Sequence, residues 1–484
     1  MFGRWSTAAI VGMFLLPGCS ERGLQTSNPE REIVHQLSRH RIVMLGDFAH
    51  EWPLSTQTLT TTLTTWLRML EAGESDQGHL TVFLEEDNQV AGLLRQYLKT
   101  GDLHPLLDLL MPSTSLERLE SYADLRGIAT QIDSLNLFLP ASKQIVFDVQ
   151  GPEAFNVFNP MILDSSDRET RLFYVNQRDS LSAGNVIAYL QDHPDQKALM
   201  FYGVGHLIKN FVEKNYTGSL SAGEKSGHYL AYYLKKEFGE DGVFTISQID
   251  HRHSPLQPGQ FDSSDVMFLA DETPWSGKPQ MNKDLAPDNF DAFIVRNQFH
   301  IPTHPLSHVF SRRVVAASIK RLEYLEPHQS GIFGSRFYTQ ALRTLEVLAD
   351  TNFSTSKEWK SWFVEHPFEG LDHFRSQEFR DRLKEQCRRA IGTPEMGSRI
   401  GELISLGFDP RVGSPTMTSG QWDTFFNEMW PQMVILNAIG VCWIGNQHEQ
   451  ERARTYLRQT TGKSFDSPGQ FLKWWRKKFY SVSY

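Results

Sequence analysis

Four short apolar runs in the first half of the chain each end in an acidic residue or a histidine. They occupy residues 42–50, 81–86, 145–148 and 198–206, and read IVMLGDFAH, TVFLEE, IVFD and ALMFYGVGH. Runs of this length, rich in β-branched and aromatic residues, predict buried β-strands. In an open parallel α/β sheet, ligands bind beyond the carboxyl ends of the strands. The pattern therefore predicts a site where two imidazoles and at least three carboxylates collect on one edge of a sheet.

Helical stretches alternate with these strand-like runs. Apolar residues recur at helical spacing in residues 54–70, 87–98, 168–190 and 226–238. Residues 243–246 predict one more strand, and residues 290–295 are expected to close the sheet. The alternation predicts an α/β domain over residues 32–300, with a mainly parallel sheet and helices on both faces.

From residue 301 to residue 484 the strand-like runs stop and amphipathic helical stretches take over. A chain of 484 residues exceeds what one core usually organises, so a second, all-helical domain is expected here. It contains a weak internal repeat, because residues 345–363 align without gaps on residues 457–475. The aligned Trp and Phe positions are predicted to be core residues rather than a ligand cage.

The first 31 residues have the features of a targeting segment. Arg4 precedes a short apolar stretch at residues 8–16, and Leu-Pro-Gly-Cys follows, ending at Cys19. This resembles a bacterial lipobox, so residues 1–18 are predicted to be a lipoprotein signal peptide, Cys19 the lipidated residue and residues 19–31 a tether. Ser20 favours an outer-membrane protein facing the periplasm. An ordinary secretory signal cut nearby is the alternative.

Composition narrows the classes of partner. The 48 basic and 57 acidic residues give a net charge of −9, and no long basic run is present, which argues against nucleic acid as a partner. Cys387 and Cys442 are the other two cysteines. An oxidising compartment would permit a bridge between them, but neither lies near the acid and histidine cluster, so a cysteine nucleophile is rejected.

Two glycine-led histidines stand at the ends of separate predicted strands. Gly46-Asp47-Phe48-Ala49-His50 ends the first strand, and Gly203-Val204-Gly205-His206 ends the fourth. Glycine lets the chain turn tightly and approach a ligand. Each motif alone also fits a capping aspartate or a bystander histidine, but two at comparable strand ends favour a shared site.

Glu85 and Glu86 end the second strand. Successive strand residues point to opposite faces, so at most one of the two can face the site without a bulge, and Glu85 is favoured.

Two further polar elements are candidates for substrate binding. Asp148 is expected to begin a loop, where it fits a turn residue as well as a functional one. Arg178 and Asn185 lie seven residues apart, hence on one face of the predicted helix. Arg178 can neutralise a carboxylate or hold an anion, or it can be an ordinary exposed helix charge.

In this order, the motifs of residues 32–300 resemble the erythromycin-esterase-like superfamily, which also includes the ChaN-type haem-binding lipoproteins and the Tiki/TraB proteins. That pattern has a Gly-Glu-x-x-His strand end, a strand-end glutamate, an Asp-Gln-like element, an Arg-Asp/Glu helix with a downstream Asn, and a second strand-end histidine. The matching positions here are Gly46 to His50, Glu85 or Glu86, Asp148 to Gln150, Arg178-Asp179 with Asn185, and Gly203 to His206. Asp47 replaces the usual glutamate and shortens the carboxylate by one methylene, which bears on activity because catalytic geometry is sensitive to shifts of about 1 Å.

The resemblance implies a hydrolase of an ester, lactone or amide that needs no cofactor and acts on a small-molecule or peptide substrate. His50 would be the general base, with Asp47 and Glu85 or Glu86 stabilising its imidazolium. Arg178 would neutralise a buried carboxylate or the developing oxyanion, and His206 would complete a proton relay. No Gly-x-Ser-x-Gly elbow accompanies these residues, so direct attack by water is expected.

Two alternatives rest on the same resemblance. A ChaN-like protein would bind haem iron through a strand-end histidine without catalysis. A Tiki/TraB-like hydrolase or protease would hold a divalent metal through His50, His206 and Glu85, with water as the fourth ligand.

Overall fold

A computed structural model describes most of the chain outside the N-terminal 27 residues. The described residues are 28–47, 53–74, 79–110, 116–153, 164, 168–209, 212–213, 227–250, 266–273, 286–296, 312–349, 351–366, 372, 375–390 and 419–479. Cys19, His50 and the predicted boundary at residue 300 lie outside them. The lipidation of Cys19 and the division into domains stay predictions.

Seven strands form one twisted sheet in the order β3-β2-β4-β1-β7-β9-β8. The strands of the chain are β1 (Ile42–Asp47), β2 (His79–Leu84), β3 (Val146–Gln150), β4 (Lys197–Gly203), β5 (Val212–Glu213), β6 (Gly227–His228), β7 (Val243–Asp250), β8 (Val266–Leu269) and β9 (Ala292–Arg296). All neighbours in the large sheet are parallel except β8 and β9. The short strands β5 and β6 pair antiparallel on their own.

Alternation along the strands supplies two apolar faces. Val43 and Leu45 of β1 join one buried cluster, and Ile42 and Met44 join the other. Both clusters are covered by helices, so the central strands are buried on both sides, as parallel strands usually are. The helices of this region are α1 (Pro29–Arg39), α2 (Pro53–Glu71), α3 (Asn88–Thr100), α4 (His104–Leu110), α5 (Leu116–Asn136), α6 (Arg168–Asp192) and α7 (Leu230–Phe238).

The C-terminal part is helical over its described residues. Its helices are α8 (Arg312–Leu325), α9 (Ile332–Ala349), α10 (Ser356–Glu365), α11 (Gln377–Ala390), α12 (Ser419–Thr424), α13 (Trp430–Ile444), α14 (Gln447–Thr461) and α15 (Pro468–Phe479), with one π-helical segment, Phe425–Met429, before α13. The predicted fold class, an α/β region followed by a helical one, is confirmed.

The aligned aromatic positions of the C-terminal repeat adopt matching geometry. Phe353 meets Trp359 edge-on, with ring centroids 5.1 Å apart and planes at 89°. Phe465 meets Phe471 in the same way, at 4.9 Å and 89°. Trp359 and Phe471 are buried, so these rings are part of the core.

The sheet edge differs from the sequence prediction. The run ending in β9 does not close the sheet, because β9 lies between β7 and β8. The edge strand is β8, which pairs antiparallel with β9 and is only four residues long. A run of four residues is too short for its periodicity to separate a strand from a buried turn of helix.

Cys442 is a free, buried cysteine within α13. Burial raises the pKa of its thiol to about 12, so the thiolate is disfavoured at neutral pH. Among the described residues, no helix is both long enough and apolar enough to cross a membrane.

Candidate active site

Three neighbouring parallel strands end at the same level of the sheet. In their register Asp47 of β1 lies opposite Gly203 of β4, and Leu84 of β2 lies opposite Phe201 of β4. The pairing continues one residue beyond β2, because the backbone N–H of Glu85 donates to the Phe201 carbonyl at 3.1 Å. The ends of β1, β2 and β4 therefore bring their polar residues to one edge.

Glu85 is the centre of the polar network at this edge. Its Oε2 accepts a hydrogen bond from the backbone N–H of Gly203 at 2.7 Å. Its Oε1 accepts from Arg178 Nη2 at 2.8 Å and lies 3.4 Å from His206 Nε2. These partners come from β4, from α6 and from the turn after β4, so the carboxylate is fixed in position.

Arg178 joins two carboxylates. Besides Glu85 it donates to Glu153 Oε2 at 2.6 Å, and the Ser182 hydroxyl donates to the other Glu153 oxygen at 2.8 Å. Burial would lower the pKa of the guanidinium, but Glu153, Glu85 and Asp179 outweigh burial and hold that pKa above its ordinary value. Arg178 is therefore a permanent cation at this edge.

His206 is buried between two acids. Its Nδ1 lies 2.7 Å from Asp179 Oδ1, and the second Asp179 oxygen accepts from the backbone N–H of Leu230 at 3.1 Å. Burial disfavours the imidazolium, but Asp179 and Glu85 outweigh it and raise the pKa of His206 to about 10. At neutral pH His206 therefore holds both ring protons and donates to its neighbours instead of accepting a proton.

Glu153 is a site residue that the sequence analysis did not single out. The chain after β3 passes so close to the end of β2 that a Cβ on Gly151 would stand 2.5 Å from the Glu86 carbonyl oxygen, so only glycine fits there. The Glu153 N–H then donates to that carbonyl at 3.2 Å. The Gly151-Pro152 turn after a predicted strand was the signal available in the sequence.

The two successive glutamates contact opposite sides of the sheet. Glu85 turns to α6, whereas Glu86 Oε1 accepts a hydrogen bond from the Tyr122 hydroxyl of α5 at 3.2 Å. The strand stops here because the next residue, Asp87, caps α3 by accepting from the Val90 N–H at 2.8 Å. Of the two glutamates, Glu85 is thus the one that contacts Arg178.

Asp148 lies inside β3, opposite Thr81, and not at the start of a loop as the sequence suggested. Its carboxylate accepts from its own neighbour, the Val149 N–H at 2.8 Å, and from the Gln150 side chain. None of these contacts involves the network around Glu85.

Asn185 contacts the segment that carries Glu153 and does not contact Glu85 directly in any described hydrogen bond. Its side-chain amide donates to the Pro152 carbonyl at 3.0 Å, so it anchors the segment that carries Glu153. Arg178 and Asn185, seven residues apart on α6, contact adjacent residues of this segment, as expected for one helix face.

A cavity of about 170 Å³ opens beside the network. Its polar lining residues are Asp47, Thr56, Glu85, Ser121, Tyr122 and Tyr202. Asp47 is 4% exposed, and the Gly46 carbonyl before it accepts from the buried Gln248 side chain at 3.0 Å, which fixes the end of β1. His50, three residues beyond Asp47, lies outside the described residues.

Tyr202 is a buried residue of this edge whose hydroxyl has no hydrogen-bond partner among the described residues. Burial, reinforced by the negative charges of Glu153 and Glu85, raises the pKa of the phenol well above its ordinary value, so it stays protonated. In the sequence Tyr202 stands within an apolar run, where nothing distinguishes it from a core aromatic residue.

Replacing Tyr202 with Phe is expected to raise the free energy of unfolding by about 1 kcal/mol, because a buried hydroxyl without a partner costs about that much. Urea denaturation at neutral pH measures the change. Tyr122→Phe is the matched control, and it should lower stability, because the Tyr122 hydroxyl donates to Glu86. A Tyr202→Phe variant that loses stability would show that this hydroxyl is satisfied in solution.

Among the described residues, no group of three or more His, Cys, Asp and Glu side chains has the arrangement of a metal site. Both ring nitrogens of His206 face carboxylates, which raise its pKa. A metal or haem ligand needs a deprotonated ring nitrogen, so binding at His206 would require the imidazolium to release a proton.

No protein-family model matches the sequence, and no curated protein matches it. Among solved structures, the chain is similar to a mutant of erythromycin esterase EreC in its open conformation, at 13% identity over 56% of this chain and 94% of that one, with a TM-score of 0.36. It is also similar to the type III effector HopBA1, at 11% identity over 55% and 93% of the two chains and a TM-score of 0.32. A Bacillus cereus protein matches at 14% identity over 56% and 91%, with a TM-score of 0.29. These are distant structural likenesses, and they assign no role to any residue.

Proposed function

We propose that this protein hydrolyses an ester, a lactone or an amide by adding water to its carbonyl carbon. The observation that carries the proposal is the network of Glu85, Glu153 and Asp179 with two cations, the partly buried Arg178 and the buried His206 imidazolium, beside a cavity. A buried group with a strongly raised pKa next to a cavity is typical of an active site.

The division of roles follows from which groups can still exchange a proton. His206 is already protonated, so the base that takes a proton from water is His50, as the superfamily resemblance implies. Asp47 and Glu85 line the cavity. In the proposed reaction they would stabilise the positive charge that forms on His50. Arg178 and His206 hold Glu85 in place. The proposal thus gives His206 a fixed charge in place of the proton relay expected from the sequence.

The alternatives are binding of haem or a metal without catalysis, and hydrolysis that depends on a bound divalent metal. Each would need His206 as a neutral ligand, and the two carboxylates that surround this imidazole oppose the loss of its proton. The network therefore favours hydrolysis without a metal over either alternative. A Soret band in the purified protein would support haem binding, and activity abolished by a chelator would support the metal-dependent hydrolase.

A screen of p-nitrophenyl esters, lactones and peptides, with and without chelator, tests the function. On any substrate found, His50→Ala should reduce kcat/KM by about 100-fold or more, the range of a general base. His206→Ala should also lose most activity, and the double variant should be hardly worse than either single one, because groups that act as a unit are not additive.

The exposed His448 provides the matched control for these variants. His448→Ala should keep full activity, and circular dichroism should show that all the variants stay folded. Full activity in the double variant His50→Ala/His206→Ala would refute the shared site.

We also propose that the protein is anchored in the bacterial cell envelope through a lipid on Cys19, on the strength of the lipobox-like sequence before it. Replacing Cys19 with Ala should release the protein from the membrane fraction, because the substitution removes the residue that carries the proposed lipid. Detergent-dependent extraction of the variant, as of the wild type, would contradict the anchor.

A further inference from the structure

Part of the lining of the cavity beside Glu85 is apolar. Leu59 of α2, Leu125 of α5, Leu84 of β2 and Phe201 of β4 line it together. A wholly apolar cavity of about 150 Å³ holds benzene. The cavity here has a volume of about 170 Å³, so it has room for one ring or a short branched chain. Pockets that enclose an entire drug-sized ligand are larger, roughly 300–1,000 Å³. The cavity is therefore large enough for only one part of a substrate.

Two of the described lining residues, Asp47 and Glu85, are acidic, and none of them is a lysine or an arginine. Arg178 lies behind Glu85, paired with it and with Glu153. The Glu85 carboxylate faces α6 and is paired there with Arg178, so an anionic group in the cavity would meet chiefly the Asp47 carboxylate. A neutral polar group would instead meet the side chains of Thr56, Ser121 and Tyr122.

We propose that this cavity binds the acyl group of the substrate, that it takes a neutral acyl group about the size of a benzoyl group, and that it rejects the carboxylate formed from it. The inference rests on the proposed hydrolysis. The oxygen of water bonds to the acyl carbon, the bond from that carbon to the leaving oxygen or nitrogen breaks, and the leaving atom takes a proton. The acid product loses its own proton, and the resulting carboxylate is repelled by Asp47.

Benzamide and benzoate provide the direct test, because they share size and shape and differ in charge. Calorimetry at neutral pH should show benzamide binding to the full-length wild-type protein, and benzoate at least tenfold more weakly. Asp47→Asn removes one negative charge from the lining and should narrow that ratio. Equal affinity for the two compounds, or tighter binding of benzoate, would overturn the proposal.

Substitutions at Leu125 test the location. Leu125→Trp should fill the cavity and abolish benzamide binding, whereas Leu137→Trp, which follows the same helix at 82% exposure, should leave it unchanged. Because the first variant can fail by misfolding, Leu125→Ala is paired with it and should gain binding of the larger 2-naphthamide. Unchanged benzamide affinity in folded Leu125→Trp, or no gain in Leu125→Ala, would contradict the assignment.

The outcomes separate this inference from the proposed function. Selective benzamide binding without hydrolysis of any ester, lactone or amide would leave the acyl-sized site standing and count against the enzyme. Hydrolysis that benzamide does not inhibit would leave the enzyme standing and overturn the acyl site.

Discussion

Raising the pH from 6.5 to 10 is expected to cost the folded protein several kcal/mol of stability through His206. The buried imidazole has a pKa of about 10, against 6.5 for the ordinary side chain, because Asp179 and Glu85 outweigh its burial. The folded state therefore keeps a proton that the unfolded chain releases. At about 1.4 kcal/mol per pKa unit, the loss is on the order of 4 kcal/mol.

The sign of this dependence follows from proton linkage. Because the folded pKa lies above the unfolded one, the stabilisation is fully present below pH 6.5 and is lost as the pH approaches 10. Urea denaturation at several pH values across this window measures the loss. In His206→Gln the side chain at this position does not titrate, so the dependence of stability on pH should be flatter than in the wild type.

Other groups titrate in the same pH window. Subtracting the His206→Gln profile from the wild-type profile removes their contribution. Tyrosines, lysines and Cys442 are common to the wild type and to His206→Gln, so the difference between their profiles isolates His206. His448→Gln, a substitution of an exposed histidine, should follow the wild-type profile. Parallel profiles for the wild type and His206→Gln would mean that His206 is not protonated in the folded state.

The sheet was predictable from the sequence because its central strands are continuous apolar runs. β1, β2 and β4 bury both faces, so each reads as a short run of Val, Ile, Leu, Met and Phe before a polar strand end. β8 was not predictable in this way, because its four residues carry no readable period. Strand order and the antiparallel edge depend on packing between elements far apart in sequence.

The site was only partly predictable for a similar reason. Glu85, Arg178 and His206 stand at strand ends or on a helix face, where the period of the element indicates a direction. Glu153 follows a turn whose close approach to β2 depends on Gly151, and that contact spans 65 residues or more of chain. The protonated state of His206 depends on Asp179, whose carboxylate was indistinguishable in sequence from an exposed helix charge.

The acidic pair at the end of β2 shows what alternation can and cannot decide. Alternation requires Glu85 and Glu86 to diverge, and the structure places them against α6 and α5. Which of them meets the arginine depends on the packing side of α6, a tertiary fact. Asp148 illustrates the limit again, because β3 runs two residues further than its apolar pattern, through Gln150.

Replacing Arg178 with Ala is expected to lower the free energy of unfolding by about 3 kcal/mol, the lower end of the range for breaking a buried ion pair from one side, because the Arg178 side chain keeps 25% of its exposure. The change leaves Glu85 and Glu153 facing each other without the cation that lies between them. Urea denaturation measures the loss at neutral pH. The exposed pair Lys360–Glu323 is the matched control, because its atoms are also 2.6 Å apart but its side chains are about half exposed.

Lys360→Ala should cost less than about 1 kcal/mol, because solvent screens an exposed pair of the same length. A comparison in a second background tests whether the cost of Arg178→Ala comes from carboxylates left without their cation. In a Glu153→Gln background one of the two carboxylates is already neutral, so Arg178→Ala should then cost clearly less than in the wild type, with a coupling of about 1 kcal/mol or more. If Arg178→Ala costs the same in both backgrounds, or no more than Lys360→Ala, then Glu85 and Glu153 do not depend on Arg178, and the network is not the rigid support that the proposed chemistry requires.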